Sequence, residues 1–136
     1  MLKGVFMEKY LKEIFGLDVK IEKWNGKSRL PLYLRNKRDY FVLSIKNMQC
    51  ILMKNDSANF HVFNFQKEMQ EIQKYAGMSV ILWLDAISTY QRNALIKNKI
   101  SFIVSNSQIY VPELGICLRE FYAGKKEKVE KISAIT

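Results

Sequence analysis

Val80-Ile81-Leu82-Trp83-Leu84 is an uninterrupted apolar run, and it constrains the fold more than any other part of the chain. A half-exposed strand alternates apolar and polar residues. A run without alternation belongs to a strand covered on both faces, in the middle of a sheet with helices packed on it. Asp85 ends the run, and Ser88-Thr89-Tyr90-Gln91 fits a capping box opening a helix that ends near Asn98. Phe102–Val104 and Gln108–Val111 read as a hairpin across Ser105-Asn106-Ser107, closed by Pro112. Ser79–Gly115 is therefore strand, short basic helix and hairpin, and it contains no catalytic cluster.

The preceding segments fit the same architecture. Over residues 5–15, Phe6, Tyr10, Leu11, Ile14 and Phe15 share one helical face, and Gly16 stands at the natural stop. Val19–Trp24 alternates as a short strand, and Asn25-Gly26 is a strong turn signal. Leu30–Leu34 and Tyr40–Ile45 read as extended, with the basic loop Arg35-Asn36-Lys37-Arg38 between them. Lys46-Asn47 makes a turn into Cys50–Met53, completing a meander. A helix over about 64–76 buries Phe65, Met69, Ile72 and Ala76, and Gly77 caps it. From Gly124 the composition shifts to a charged tail with little to bury. The expectation is one α/β (α+β) domain over 1–123, a mixed central sheet flanked by helices, followed by a tail or linker over 124–136. A doubly wound nucleotide fold is excluded, because no Gly-rich strand-to-helix turn is present.

The chain of 136 residues carries a net charge of +9, unevenly placed. Between Lys20 and Lys54 nine Lys/Arg face only Glu22 and Asp39, and from Ala86 to Pro112 the charged residues are Arg92, Lys97 and Lys99. Two basic regions merging into one face would make a footprint for a phosphate backbone. Cys50 and Cys117, both in apolar settings, lack metal spacing and read as buried free thiols of a reducing, cytoplasmic compartment. The charged, amphipathic N-terminus is not a signal peptide, and Val80–Leu84 is too short to span a bilayer, so no membrane role is expected.

Catalytic chemistry finds little support. His61 is the only histidine, and no cysteine or carboxylate cluster accompanies it, so neither a metal site nor a cofactor is expected. The order helix, three-strand meander, helix, strand matches the core of restriction-endonuclease-like folds. Such folds take one acid from a strand and an acid-x-Lys from the next, and the carboxylates hold Mg²⁺. Here that strand end is Leu52-Met53-Lys54: the lysine is present, the acid position is Leu52, Asp39 could stand in for the earlier acid, and Asp56 follows too late. The reading is a degenerate core without catalysis. Trp83 belongs to the core, whereas Tyr33 and Tyr40 flank the basic loop and are the candidates for stacking on single-stranded nucleic acid.

The runs LPLYL, YFVLSIKNMQCILMK and FQKEMQEIQKYAG through CLRE resemble the N-terminal α/β domain of Gram-positive MarR-like regulators, which precedes a winged helix-turn-helix. Gln73–Gly77, Val80–Asp85, Tyr90–Val104 and Gln108–Glu120 carry the likeness. The usual Ile-Pro-Phe is Ile100-Ser101-Phe102 here. The resemblance implies DNA-linked regulation by a stand-alone domain or by the front domain of a longer regulator. The expected function is non-catalytic binding of nucleic acid or a nucleoprotein. Lys27, Arg29, Arg35, Lys37, Arg38 and Lys54 form one phosphate-contacting set, and Arg92, Lys97 and Lys99 a second. The alternative is a small mobile-element or phage protein that binds and inhibits a host defence or regulatory (nucleo)protein, occupying an acidic surface of that target or gripping its bound RNA. Oligomeric state is not legible.

Overall fold

Strand β4 (Ser79–Leu84), the apolar run, is the fourth of seven in one mixed sheet. The computed structural model describes residues 2–16, 18–55, 60–105, 107–112 and 116–120, the last five, 2–6 and 15 by backbone only. The strands lie side by side in chain order: β1 (Val19–Lys23), β2 (Asp39–Ile45), β3 (Met48–Lys54), β4, β5 (Phe102–Val104), β6 (Gln108–Val111) and β7 (Ile116–Glu120). β3, β4 and β5 run parallel, and the remaining neighbours are antiparallel. The fold is the mixed α/β sheet expected from the sequence.

Period-two alternation sorts each strand between two cores. Leu43, Cys50, Leu52, Ile81, Trp83 and Ile103 join Met7, Tyr10 and Leu11 of helix α1 (Leu2–Phe15). Ile51, Met53, Leu82 and Phe102 join Phe65, Met69 and Ile72 of α3 (Val62–Ala76) and Leu95 of α4 (Thr89–Lys97). The amide of Ile21 donates to Glu8 at 2.7 Å and ties α1 to the edge strand. Of the expected α1 face, Tyr10 and Leu11 are buried and Ile14 partly so, while the Phe6 and Phe15 side chains lie outside the described residues.

The local stop and start signals operate as read. Gly16 and Gly77 both take the left-handed conformation that ends a helix, with φ of +67° and +68°. At α4, the Gln91 amide donates to Ser88 Oγ (3.1 Å) and the Ser88 amide to Gln91 Oε1 (3.0 Å), completing the capping box. Lys46-Asn47 makes the two-residue turn, since Ile45 pairs with Met48.

One expectation is corrected. Leu30–Leu34 is not a strand: Pro31, with φ of −54°, precedes a single helical turn, α2 (Leu32–Arg35), whose Leu34 is buried. Pro presets that backbone angle and supplies no amide to a sheet ladder. Asn25-Gly26 does turn the chain, as its signal indicates, by opening a 3-10 turn, Asn25–Arg29, while β1 pairs with the distant Phe41–Ile45. Gly26 is needed there for space, as a Cβ would come within 2.6 Å of the Trp24 ring. The hairpin forms with the expected bounds and β6 ends before Pro112, but beyond it β7 adds a third antiparallel strand, with a register shift between Ile109 and Val111. Lys99 lies beyond the end of α4 at Lys97 and turns to φ +56°. The expected tail over 124–136, Asp56 and the Cys117 side chain lie outside the described residues; Cys50 is buried.

Candidate nucleic-acid interface

The meander brings the C-terminal end of β3 beside the start of β2, with Asp39 directly opposite Lys54. The connection from β1 to β2 folds over this corner, and the first turn of α3 closes it from the other side. Between them lies a polar cleft of about 510 Å³ lined by Lys27, Lys37, Arg38, Lys54, His61 and Asn64, with Asn36, Asp39, Asn55 and Phe65. Four members of the first expected set, Lys27, Lys37, Arg38 and Lys54, therefore meet in one place.

Their environments differ sharply. Arg38 forms the floor: its side chain is only 7% exposed, and it is ion-paired to Glu68 and hydrogen-bonded to Asn55 Oδ1. Its guanidinium stands 5.4 Å from the centroid of the Phe65 ring. Glu68 is buried on α3 and also accepts from Lys37 Nζ at 2.6 Å. Burial by itself raises the Glu68 pKa, but the hydrogen bonds from Lys37 and Arg38 outweigh it and hold the carboxyl below its ordinary value. Lys37 keeps 45% of its side chain exposed, so it reaches the rim even while tethered.

Lys54 is largely enclosed. Its Nζ lies 2.9 Å from Asp85 Oδ2 and 5.3 Å from the Trp83 ring centroid, with 11% of the side chain exposed. Register explains this: Lys54 pairs with Trp83 across the parallel β3–β4 ladder, and Asp85 follows two residues later on the same face. Leu52, at the position where a nuclease would place its acid, is fully buried in the α1-side core. Counting Asp39, Glu68 and Asp85 against the four cations leaves the cleft with one net positive charge. The local excess of +7 over Lys20–Lys54 greatly overstates the field at this spot. Among the described residues no three His, Cys, Asp or Glu side chains gather as metal ligands.

The other expected residues are placed elsewhere. Arg35 turns inward and donates to the carbonyls of Ser28 (2.8 Å) and Leu30 (3.0 Å), which fixes the β1–β2 connection. Arg29 lines a separate groove beside Trp24, with Lys23, Val42 and Gln49. Lys99 lines a third, between α3 and the start of β4. Arg92 is half-buried and Lys97 exposed on α4, so the two basic sets do not merge into one cleft. Tyr40 is not a stacking residue. It is 3% exposed, its hydroxyl donates to the Leu34 carbonyl at 2.6 Å, and burial pushes its pKa up to about 12. Tyr33 is exposed.

Sequence reasoning missed Glu68, Asp85 and the polar lining from Asn36, His61 and Asn64. A signal for Glu68 existed: it sits three residues after Phe65 and four before Ile72, on the buried stripe of α3. Asp85 had only its place at the end of the apolar run. No helix among the described residues is long and apolar enough to cross a membrane. Compared with known proteins, the chain matches no family model, no curated sequence and no solved structure.

Proposed function

We propose that this domain binds nucleic acid through its phosphates at the cleft between the β1–β2 connection and α3, without cutting it. The observation that carries this reading is the meeting of Lys27, Lys37, Arg38 and Lys54 with the amide and imidazole groups of Asn36, Asn64 and His61 in one polar cleft. Cations and neutral donors at a concave surface are what phosphate oxygens require. Roles divide by burial. Lys37, half-exposed, and Lys27, in no ion pair among the described residues, contact phosphate, while Arg38 and Lys54, held by Glu68 and Asp85, shape the floor. Such contacts give affinity without sequence reading, which suits a domain attached to, or acting beside, a DNA-reading regulator. Non-catalytic action is supported by the leucine at position 52 and by the engagement of Lys54 with Asp85.

The test is a salt titration of binding to duplex DNA, single-stranded DNA and RNA. Each phosphate contact releases counterions, so log affinity should fall linearly with log salt. The Lys27→Ala, Lys37→Ala double variant should flatten that slope by about two units on duplex DNA. Failure of the wild type to bind all three at ~50 mM salt would overturn the proposal. Incubation with Mg²⁺ should leave all three substrates intact, and cleavage lost in Lys54→Ala would refute the non-catalytic part.

A further inference from the structure

Large apolar side chains on a folded surface mark contact sites when they cluster. Six are well exposed among the described residues: Leu32, Tyr33, Met48, Phe63, Tyr75 and Tyr90. Three of the six belong to the two short segments that wall the cleft. Leu32 and Tyr33 lie on α2, one turn before the lining residues Asn36 and Lys37. Phe63 lies in the first turn of α3, between the lining residues His61 and Asn64, and is 75% exposed. Tyr33 is 61% exposed. The hydrophobic cores already hold Phe65 and Leu34 from the same two segments, so neither exposed ring is needed to anchor its element.

Two exposed aromatic rings, each beside lining residues in sequence though not itself part of the lining, have a specific use next to a cleft that holds four cations. Each base of a single strand offers a π-face to stack on, with its phosphate close behind, whereas a duplex stacks its bases on one another and presents mainly phosphates. Resting on the nucleic-acid reading above, we infer that the ligand is single-stranded nucleic acid, with Phe63 and Tyr33 stacking bases on either side of the cleft. Lys27 and Lys37 then hold the intervening backbone. The charge of the cleft and the rings beside it suit the same occupant. A duplex would leave both rings without partners.

The experiment uses the full chain and fluorescence anisotropy with a labelled 12-nucleotide oligothymidylate and a 12-base-pair duplex at low salt. The wild type should bind the strand at least ten-fold more tightly. Phe63→Ala and Tyr33→Ala should each weaken strand binding roughly 5- to 150-fold, the loss of one stacked base, and leave duplex binding unchanged. Tyr75→Ala serves as the control: it removes another exposed aromatic from α3, about 18 Å further along the helix. It should change nothing. Because all three side chains are exposed, circular dichroism and the melting temperature should match the wild type. Equal affinity for strand and duplex, an unaffected Phe63→Ala, or a Tyr75→Ala as weak as Phe63→Ala would each overturn the inference while nucleic-acid binding stood. Binding to neither probe would overturn both.

Discussion

The basic loop at Arg35–Arg38 and the basic end of α4 at Lys97–Lys99 look alike as sequence, yet they are different objects in the fold. Arg35 is bonded to two backbone carbonyls, and Lys37 and Arg38 share the buried carboxylate of Glu68. Lys97 and Lys99 are exposed, and neither is in an ion pair among the described residues. A cation's role is set by what stands opposite it, and only Lys37 in the loop combines an internal partner with a half-exposed chain. Clustered positive charge, which invites a phosphate-binding reading, is here largely the means by which a long connection is fastened to a helix.

The largest effect expected from this contrast is at Glu68. Glu68→Gln leaves Arg38 buried without its counter-charge and should lower stability by about 3–5 kcal/mol, read by urea denaturation. A loss below about 1 kcal/mol would put the loop in the same class as the α4 end. The double variant Arg38→Met, Glu68→Leu should recover much of that loss, since a well-packed apolar pair is often as stable as a buried ion pair. If the double variant is instead weaker than Glu68→Gln, the latch depends on its Lys37 and Asn55 contacts more than on the Arg38 charge.

Acid should weaken the link between the loop and α3. The Glu68 carboxyl titrates below its ordinary 4.5 in the folded protein, so the unfolded chain takes up the proton more readily. The stabilisation is therefore complete above about 4.5 and is lost as pH falls through the folded value. Melting temperature measured from pH 7 down to 3 should drop less steeply in the Arg38→Met, Glu68→Leu variant than in the wild type. Parallel curves would show that Glu68 contributes nothing to the acid response.

The smallest effects belong to the α4 end. Lys99 sits at φ +56°, a conformation glycine adopts without strain, so Lys99→Gly should raise stability by up to about 1 kcal/mol. Lys97→Ala should stay within about 0.5 kcal/mol of the wild type, as expected at an exposed helix position. A substantial loss at Lys97 would mean that this end also carries a hidden partner.

Much of the architecture was legible because it follows from local pattern. The unbroken run Val80–Leu84 required a central strand, the Phe65-Met69-Ile72 stripe required an amphipathic helix, and Ser88 with Gln91 fixed where α4 begins. Each of these depends on residues within about one or two turns of one another, where periodicity reports burial directly. The Leu30–Leu34 stretch misled, since apolar alternation over five residues suits a helical turn after Pro31 as well as a strand. Strand β7 was hidden because its pairing with β6 begins only after Pro112, which reads as a stop.

The cleft was legible only in part. Composition located the cations, but their partners lie across the fold: Arg38 meets Glu68 at a separation of 30 residues, and Lys54 meets Asp85 through the β3–β4 register. The sequence determined which strand is central, where helices start and stop, and how much positive charge the loop carries. Tertiary structure alone decided which cations are neutralised inside and which face outward. Charge pairing is a relation between distant segments fixed by strand register and helix placement, whereas burial periodicity is a property of each segment by itself.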